Sequence, residues 1–397
     1  AFQLKIKQIE IYPITLFHPN YFGIGFGNRS PRTKVLLDTT LMRGVIQLLR
    51  SARGSKQKRK NVIVRFITDS GIAGWGEASP MTTVTGETTD TVVNTLRKLA
   101  PKLINSPFSN VEETLQIVDP LLLGKPAAKA SIDIALHDLL GKALLKPLST
   151  LLGGLKREVV TDLSIGMESP KKMAEAAANA VQQGFKSIKI KVGGNPSEDV
   201  KRVKLVREAI GDTTQLRVDA NQSWTVKQTI AVVNKIVPFN VQFVEQPVIA
   251  EDLQGLATIR KNSPIPIMAD ESIHSLEDAK HLIQAEAVDI FNIKLMKCGG
   301  MLEAIKIATA AEDAKIPCMI GCWGETRIGI TAAANLAGSI KNIVYADLDS
   351  DILFEEKLVK KGGCTFEGSN RKLPDAAGLG IEEIDKTLLG EPTEIYT

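Results

Sequence analysis

Apolar and polar residues alternate from Leu4 to Tyr12 and again from Val62 to Glu77, the second run broken at Asp69-Ser70-Gly71. A period of two predicts strands and an Asp-Ser-Gly break predicts a turn, so these runs read as an antiparallel meander. Helical spacing follows in three stretches, Thr88 to Leu103, Val111 to Leu121 and Pro126 to Leu145. The last opens on a proline and carries Ile132, Ala135, Leu136 and Leu139 at helical spacing. Strands then helices predict an α+β unit over residues 1–150, closed by PLSTLLGG at Pro147 to Gly154. Asn20 to Lys60 interrupts the meander. It is Gly-rich and then basic, a short helix is expected near Leu41 to Leu49, and the extra segment near 30–60 reads as an insertion.

After Gly154 short apolar strands alternate with longer amphipathic helices, the βαβα texture of a parallel sheet. Strands are predicted near Thr161–Gly166, Ser187–Val192, Leu216–Asp219, Gln242–Glu245, Ile267–Asp270, Ile290–Ile293, Met319–Gly321 and Val344–Asp347. Helices of suitable length, such as Pro170–Gln183, Ser197–Ile210 and Leu302–Ala314, lie between them. Periodicity alone accommodates a closed barrel over residues 151–352 or a doubly wound open sheet. The segment 353–397 shows no further periodic strands and helices and is expected to pack back on the first unit.

Composition narrows the function classes. The 397 residues are 44% hydrophobic and 24% charged, the balance of a globular chain with a large core. Lys plus Arg outnumber Asp plus Glu by only 49 to 45, too little to argue for nucleic acid or an anionic membrane as partner. The basic cluster Lys56, Lys58, Arg59 and Lys60 reads as a solvated loop. No apolar run approaches the ~20 residues of a membrane helix, and AFQLKIKQIEIYP alternates like a strand rather than a signal sequence. Cys318 and Cys322 lack a second pair suited to zinc, so the four cysteines read as reduced thiols. A cytoplasmic protein is expected.

The chemistry sits at predicted strand ends. Lys189 and Lys191, in KIKV, point to the same side of their strand. On a surface strand that is an ordinary solvated face; at the carboxyl end of a barrel strand it lies on the rim where such folds keep their active sites. The next three strands end in Asp219 (VDAN), Glu245 (VEQP) and Asp270 (ADES). Each acid alone could be a helix cap. Three at neighbouring strand ends would repel unless a hard cation sat among them, and Mg²⁺ is the natural candidate. Asn221, Gln246 and Glu271 stand beside these acids and are expected to orient them. The sixth strand ends in NIKLMKCGG, which puts Lys294 across the barrel mouth from Lys191. A cation on a substrate carboxylate stabilises the enediolate left when the adjacent carbon loses its proton, and a lysine on each side lets one abstract and the other return it. An ordinary lysine is too protonated to act as a base, so Lys189 and the metal are expected to depress the pKa of Lys191; Lys297 does the same or faces solvent.

The ordered set KIKV, VDAN, VEQP, ADES and NIKLMKCGG resembles the muconate lactonizing enzyme subgroup of the enolase superfamily, as do SIDIALHDLLGK with PLSTLLGG and the segment GIAGWGEASP. Enolase-superfamily sites are known for a Lys or His base beside Mg²⁺. The resemblance implies a (β/α)7–8 TIM-like barrel under an N-terminal α+β capping domain. It makes Asp219, Glu245 and Asp270 the metal ligands, Lys191 and Lys294 the acid/base pair, and Lys189 an auxiliary lysine.

YADLDSDILF ends the eighth strand with Asp347 and Asp349 on one face. Two carboxylates suit a substrate ammonium, and the motif resembles the clamp on a dipeptide's free amino terminus. The expectation is therefore a dipeptide epimerase that inverts the carbon beside the terminal carboxylate, with a dipeptide as its small-molecule partner and a homo-oligomer as its assembly. Side-chain preference is expected from Phe17–Gly27 and Met81–Glu87. A muconate-type cycloisomerase, an o-succinylbenzoate synthase or an N-acylamino acid racemase shares the barrel residues but has no ammonium to hold. A catalytically silent scaffold is the alternative from another class, against which the intact charged set argues.

Overall fold

The computed structural model describes residues 4–18 and 57–397. The expected helix near Leu41–Leu49 and most of the Phe17–Gly27 loop lie outside these residues.

Strands β1 (Leu4–His18), β2 (Gln57–Thr68) and β3 (Ala73–Ala78) form an antiparallel sheet, with β2 and β3 joined at the predicted Asp69-Ser70-Gly71 turn. A bulge between Ile6 and Gln8 lets Ile6 and Ile9 both be buried although they are an odd number of residues apart. β2 begins at Gln57, earlier than the apolar pattern indicated, so Lys58, Arg59 and Lys60 belong to a strand and not to a solvated loop. The two-residue β4 (Pro107–Phe108) pairs with the start of β1. Of the predicted helices, Thr89–Leu103 and Pro126–Ala143 form as single elements. The stretch from Val111 divides into Val111–Gln116 and Asp119–Leu122, the second opening on Pro120, which has no N–H to continue a helix.

Helix Pro126–Ala143 is buried on nearly every side because it lies between β3 and the following unit. Gly76 makes the close approach possible: a Cβ there would stand 1.9 Å from the carbonyl oxygen of Ser131. From the other side of this helix Asp133 accepts from the Met301 (2.6 Å) and Leu302 (3.2 Å) amides, capping the helix Met301–Asp313.

After β5 (Glu158–Val160) the chain forms an eight-stranded parallel sheet in strictly sequential order. Its strands are β6 (Leu163–Ile165), β7 (Ser187–Lys191), β8 (Gln215–Asp219), β9 (Val241–Glu245), β10 (Ile267–Ala269), β11 (Ile290–Lys294), β12 (Cys318–Gly321) and β13 (Ile343–Asp347). At the seam Asp162 N–H donates to Ala346 O at 3.2 Å, so the sheet curls into a nearly closed barrel rather than opening like a doubly wound sheet. Phe243, Met268, Ile290 and Met319 pack together inside it with Tyr345 against them.

The C-terminal segment, which shows no strand periodicity in its sequence, contains strands all the same. It forms β14 (Val359–Gly362), β15 (Thr365–Glu367), β16 (Asn370–Lys372), β17 (Ile381–Ile384) and β18 (Glu394–Tyr396). These strands are too short for periodicity to register. β16 pairs with β5 beside the barrel, and β18 pairs with β1. Among the described residues no helix is long and apolar enough to cross a membrane.

Candidate active site

Strand alternation sends the last charged residue of a barrel strand inward together with the residue two places before it. Lys189 accompanies Lys191 on β7, Arg217 accompanies Asp219 on β8, and Asn292 accompanies Lys294 on β11. Register aligns these ends: Lys191 pairs with Asp219 and Asp219 with Glu245, while Lys294 pairs with Gly321 and Gly321 with Asp347. The predicted lysines and acids are buried at this one end of the barrel, except Glu271, which is half-buried.

Each predicted metal-binding acid is engaged by an ammonium. Lys191 Nζ donates to Asp219 Oδ2 at 2.5 Å and Lys294 Nζ to Asp270 Oδ2 at 2.7 Å. Lys189 Nζ reaches Glu245 Oε2 at 3.1 Å and also bonds Asp347. Lys297, which the sequence allowed to face solvent, is buried and donates to Asp270 Oδ1 at 2.6 Å and Asn292 O at 3.0 Å. Asn292 Nδ2 donates to the other Glu245 oxygen at 2.7 Å.

Of the residues expected to orient the acids, Asn221 donates its N–H to Asp219 Oδ1 (2.9 Å) and its side-chain amide to Glu271 Oε1 (3.2 Å). Gln246 acts on backbone instead. Its Oε1 accepts from the Asp270 and Ser272 amides, and its Nε2 donates to Val248 O, knitting the exits of β9 and β10. Asn221 and Gln246 hold left-handed backbone, at φ 41° and 34°, a cost that such sites carry where the surroundings over-determine the conformation.

Burial and carboxylates compete at the buried lysines. Burial pulls the Lys189 ammonium down, but Asp347, Glu245 and Asp219 outweigh it and hold its pKa well above the ordinary value. Lys294 is likewise raised, burial being overcome by Asp270 and Glu245. In both cases carboxylates from other strands outweigh burial. Lys297 is the exception, pulled down mainly by burial. Burial and then Asp219 push Glu245 up to about 7, and burial and then Asp270 push Glu271 up to about 8.

A second acidic group lies on the side of the barrel formed by β6 and β13. Asp162, Asp347 and Asp349 bring carboxylate oxygens within 4.8 Å of one another, all buried. Ser164 joins the last two, its N–H donating to Asp349 Oδ2 (2.8 Å) and its hydroxyl to Asp347 Oδ1 (3.2 Å). Arg217 Nη1 holds Asp162 Oδ2 at 2.7 Å from beneath. Burial and the neighbouring Asp347 push the Asp349 carboxyl up to about 7. For Asp347, Lys189 overcomes burial and holds the carboxyl below its usual range.

The N-terminal sheet reaches this layer through the loop after β12. Trp323 Nε1 donates to Ser79 O at 2.6 Å, and the Lys294 ammonium lies 5.8 Å from the centre of the indole ring. Glu77 on β3 accepts from Thr326 N (2.8 Å), Thr326 Oγ1 (2.8 Å) and Gly329 N (2.9 Å), capping the helix Arg327–Ser339 from outside the barrel.

Residues 37–153 match the model of the mandelate racemase/muconate lactonizing enzyme N-terminal domain, and residues 172–387 match the enolase C-terminal domain-like model. The chain belongs to the mandelate racemase/muconate lactonizing enzyme family. Within that family it is 43% identical over 333 residues to a hydrophobic dipeptide epimerase of Enterococcus faecalis, covering 83% of this chain and 94% of the relative. It is 38% identical to an N-succinyl-L-Arg/Lys racemase of Bacillus cereus, covering 97% of each. The crystal structure of the dipeptide epimerase from Enterococcus faecalis complexed with Mg and L-Leu-L-Tyr superposes with a TM-score of 0.85 at 38% identity, covering 96% of this chain and 100% of that one.

The acids of this family member suit a hard divalent ion. Asp219, Glu245 and Asp270 offer only oxygen from adjoining strand ends, and repulsion from Asp219 adds to burial in raising Glu245. Glu271 Oε2 is moreover buried without a hydrogen-bond partner. The Asp162, Asp347 and Asp349 group is likewise engaged, by Arg217, Lys189 and Ser164, with Asp162 Oδ1 buried without a hydrogen-bond partner.

Sequence reasoning missed Asp162, Ser164, Arg217, Asn292 and Trp323. Period two carried the signal for Arg217 and Asn292, two residues before Asp219 and Lys294. The others depend on which strand or loop lies beside which, and nothing local marks them.

Proposed function

We propose that this chain is a Mg²⁺-dependent dipeptide epimerase that inverts the α-carbon next to the terminal carboxylate of an L,L-dipeptide. The observation that carries the reading is the placement of Lys191 on the second and Lys294 on the sixth of eight sequential barrel strands, half a turn apart, with acids on the strands between. A planar carbanion between two amines can be reprotonated on the face opposite to the one that lost its proton.

Asp219, Glu245 and Asp270 would hold the metal, which when bound supplies positive charge against the substrate carboxylate as the adjacent carbon acidifies. Lys191 and Lys294 exchange the proton, each ammonium now paired with a carboxylate that must be engaged elsewhere before the amine is free to act as base. Lys189 balances Glu245 and Asp347. Asp347 and Asp349 take the dipeptide ammonium, and Asn221, Gln246 and Glu271 keep the acids and their backbone in place. Trp323 walls the Lys294 side and links it to the N-terminal sheet.

We read residues 1–150 as the capping domain with its insertion near 30–60, 151–352 as the barrel and 353–397 as a segment returning to the cap. The same reading carries a homo-oligomeric assembly, no nucleic-acid partner, and a cytoplasmic location that suits the free thiols Cys298, Cys318, Cys322 and Cys364.

Incubating the Mg²⁺-loaded protein in heavy water with L,L-dipeptides and with N-succinyl and N-acetyl amino acids tests the function. Deuterium entering the carboxyl-terminal α-carbon with inversion, for dipeptides in preference to acylated amino acids, is the expected result. Preference for the acylated compounds, or no exchange in either set, overturns it.

A further inference from the structure

Arg371 on β16 is fully buried and comes from outside the barrel, through a strand paired with β5 at Val159. Its Nε and Nη2 donate to the same carbonyl oxygen, Leu348 O, at 3.0 and 2.7 Å. The rest of the fork is taken by Asp351, through Nη1 at 3.1 Å and a further bond from Nη2, and the guanidinium lies 4.9 Å from the Phe366 ring centre. Leu348 is the residue between Asp347 and Asp349. Its N–H is also held by a side chain, donating to Thr161 Oγ1 at 2.8 Å. Thr161 is in turn anchored by its N–H to Ser369 O at 2.8 Å and by its hydroxyl to Asp162 O at 3.0 Å.

Burying a guanidinium is costly unless its donors are matched, and here two go to one peptide oxygen rather than to a second carboxylate. Both polar groups of Leu348 are therefore fixed by the C-terminal hairpin and the β5–β6 connection. The N–H and C=O of Leu348 lie in the two successive peptide planes that join it to Asp347 and to Asp349, so each plane is held at one end, and the Cα–Cβ directions of the two flanking aspartates are restrained with them. A binding constellation needs that rigidity, because a loosened clamp loses affinity before the reacting centre is disturbed.

We propose that Arg371, with Thr161, is a positioning residue that aims Asp347 and Asp349 at the substrate ammonium by immobilising Leu348. The inference rests on the reading of that pair as the ammonium site.

The test uses Arg371→Met, Arg371→Lys and Thr161→Val in the full-length, Mg²⁺-loaded protein, each alone and combined with Asp349→Asn. KM and kcat are measured on an L,L-dipeptide and on the same dipeptide with its amine acetylated. Arg371→Met and Thr161→Val should raise KM for the free dipeptide about tenfold or more, with kcat within about threefold and the acetylated peptide's parameters unchanged. Arg371→Lys, which keeps one donor for Leu348 O, should fall between. In the Asp349→Asn background the same changes should move KM by less than about twofold, because coupled positions are not additive. Equal losses on both peptides, or full additivity with Asp349→Asn, would make Arg371 a structural staple only and overturn the inference. Should Arg371→Met fail to fold, Thr161→Val carries the same outcomes. A wild-type protein that does not favour the free amine would instead sink the ammonium-site reading, and the inference with it.

Discussion

Asn292 donates its side-chain amide to Glu245 Oε1 at 2.7 Å across the whole width of β10, which lies between their two strands. Lys189 takes the other Glu245 oxygen, so the carboxylate is steered by one neutral and one charged donor. The neutral donor holds Glu245 in position without competing for a cation.

Replacing Asn292 with Leu removes that donor with little change in volume. Mg²⁺ affinity should fall about 10- to 100-fold, the usual effect of losing a group that orients a metal ligand, as read by isothermal titration calorimetry. Unchanged affinity would show that Glu245 does not depend on Asn292.

Lys191→Ala and Lys294→Ala should each abolish epimerisation, by about a thousandfold or more, yet leave different residual chemistry. Each variant should still wash deuterium into one epimer of the dipeptide and not the other, because one amine remains on one side. Proton NMR in heavy water, started separately from the L,L- and L,D-dipeptides, reads this directly. Loss of exchange from both epimers in both variants would remove the two-base assignment.

The Asp349 carboxyl is raised to about 7 by burial and then by Asp347. A raised carboxyl stays neutral at acid pH, whereas an ammonium binds to the anion. KM for the free dipeptide should therefore fall about tenfold per pH unit as pH rises from 5 towards 7 and level off above it, while the acetylated dipeptide lacks this dependence. Asp349→Asn should erase the inflection and leave KM high throughout. Initial rates across pH 5–9 provide the profile.

Gly321 faces Asn292 and Lys294 from the adjacent strand, and a Cβ there would stand 2.6 Å from Asn292 Oδ1 and 3.0 Å from Lys294 Cε. Gly321→Ala should displace both, lowering kcat about 10- to 100-fold and stability by about 1–3 kcal/mol. Steady-state kinetics with urea unfolding separates the two effects.

Glu77 is buried and accepts from Asn61 at 2.8 Å as well as from Thr326 and Gly329, so it joins β2, β3 and a barrel helix. Glu77→Ala strands these donors and should cost about 3–5 kcal/mol, with Glu77→Gln milder because it retains one carbonyl oxygen. Equilibrium unfolding in urea measures both, and a loss under about 1 kcal/mol for Glu77→Ala would deny Glu77 a joining role.

Much of this was legible in the sequence, for a local reason. Two-residue periodicity tells which way a side chain leaves its strand, so KIKV, VDAN, VEQP, ADES and NIKL announced inward-facing charges before any strand had a neighbour. The meander turn at Asp69-Ser70-Gly71 and the helix opening at Pro126 were equally local. The strands of the C-terminal segment were hidden because three or four residues hold too few alternations to register.

Tertiary structure decided which charges meet. Arg371 lies 24 positions from Asp347 and is unremarkable in its own stretch of sequence. Its role exists only because β16 pairs with β5 and delivers a guanidinium to one peptide oxygen. Trp323 acquires a part in the site through the carbonyl of Ser79, more than 200 residues away. The balance of charge on Lys189 and Lys294 was likewise undetermined until the strands were in register. A chain of lysines reads as mutual repulsion, but the field at an ammonium falls off with distance, and in the folded barrel the nearest charges are carboxylates contributed by other strands.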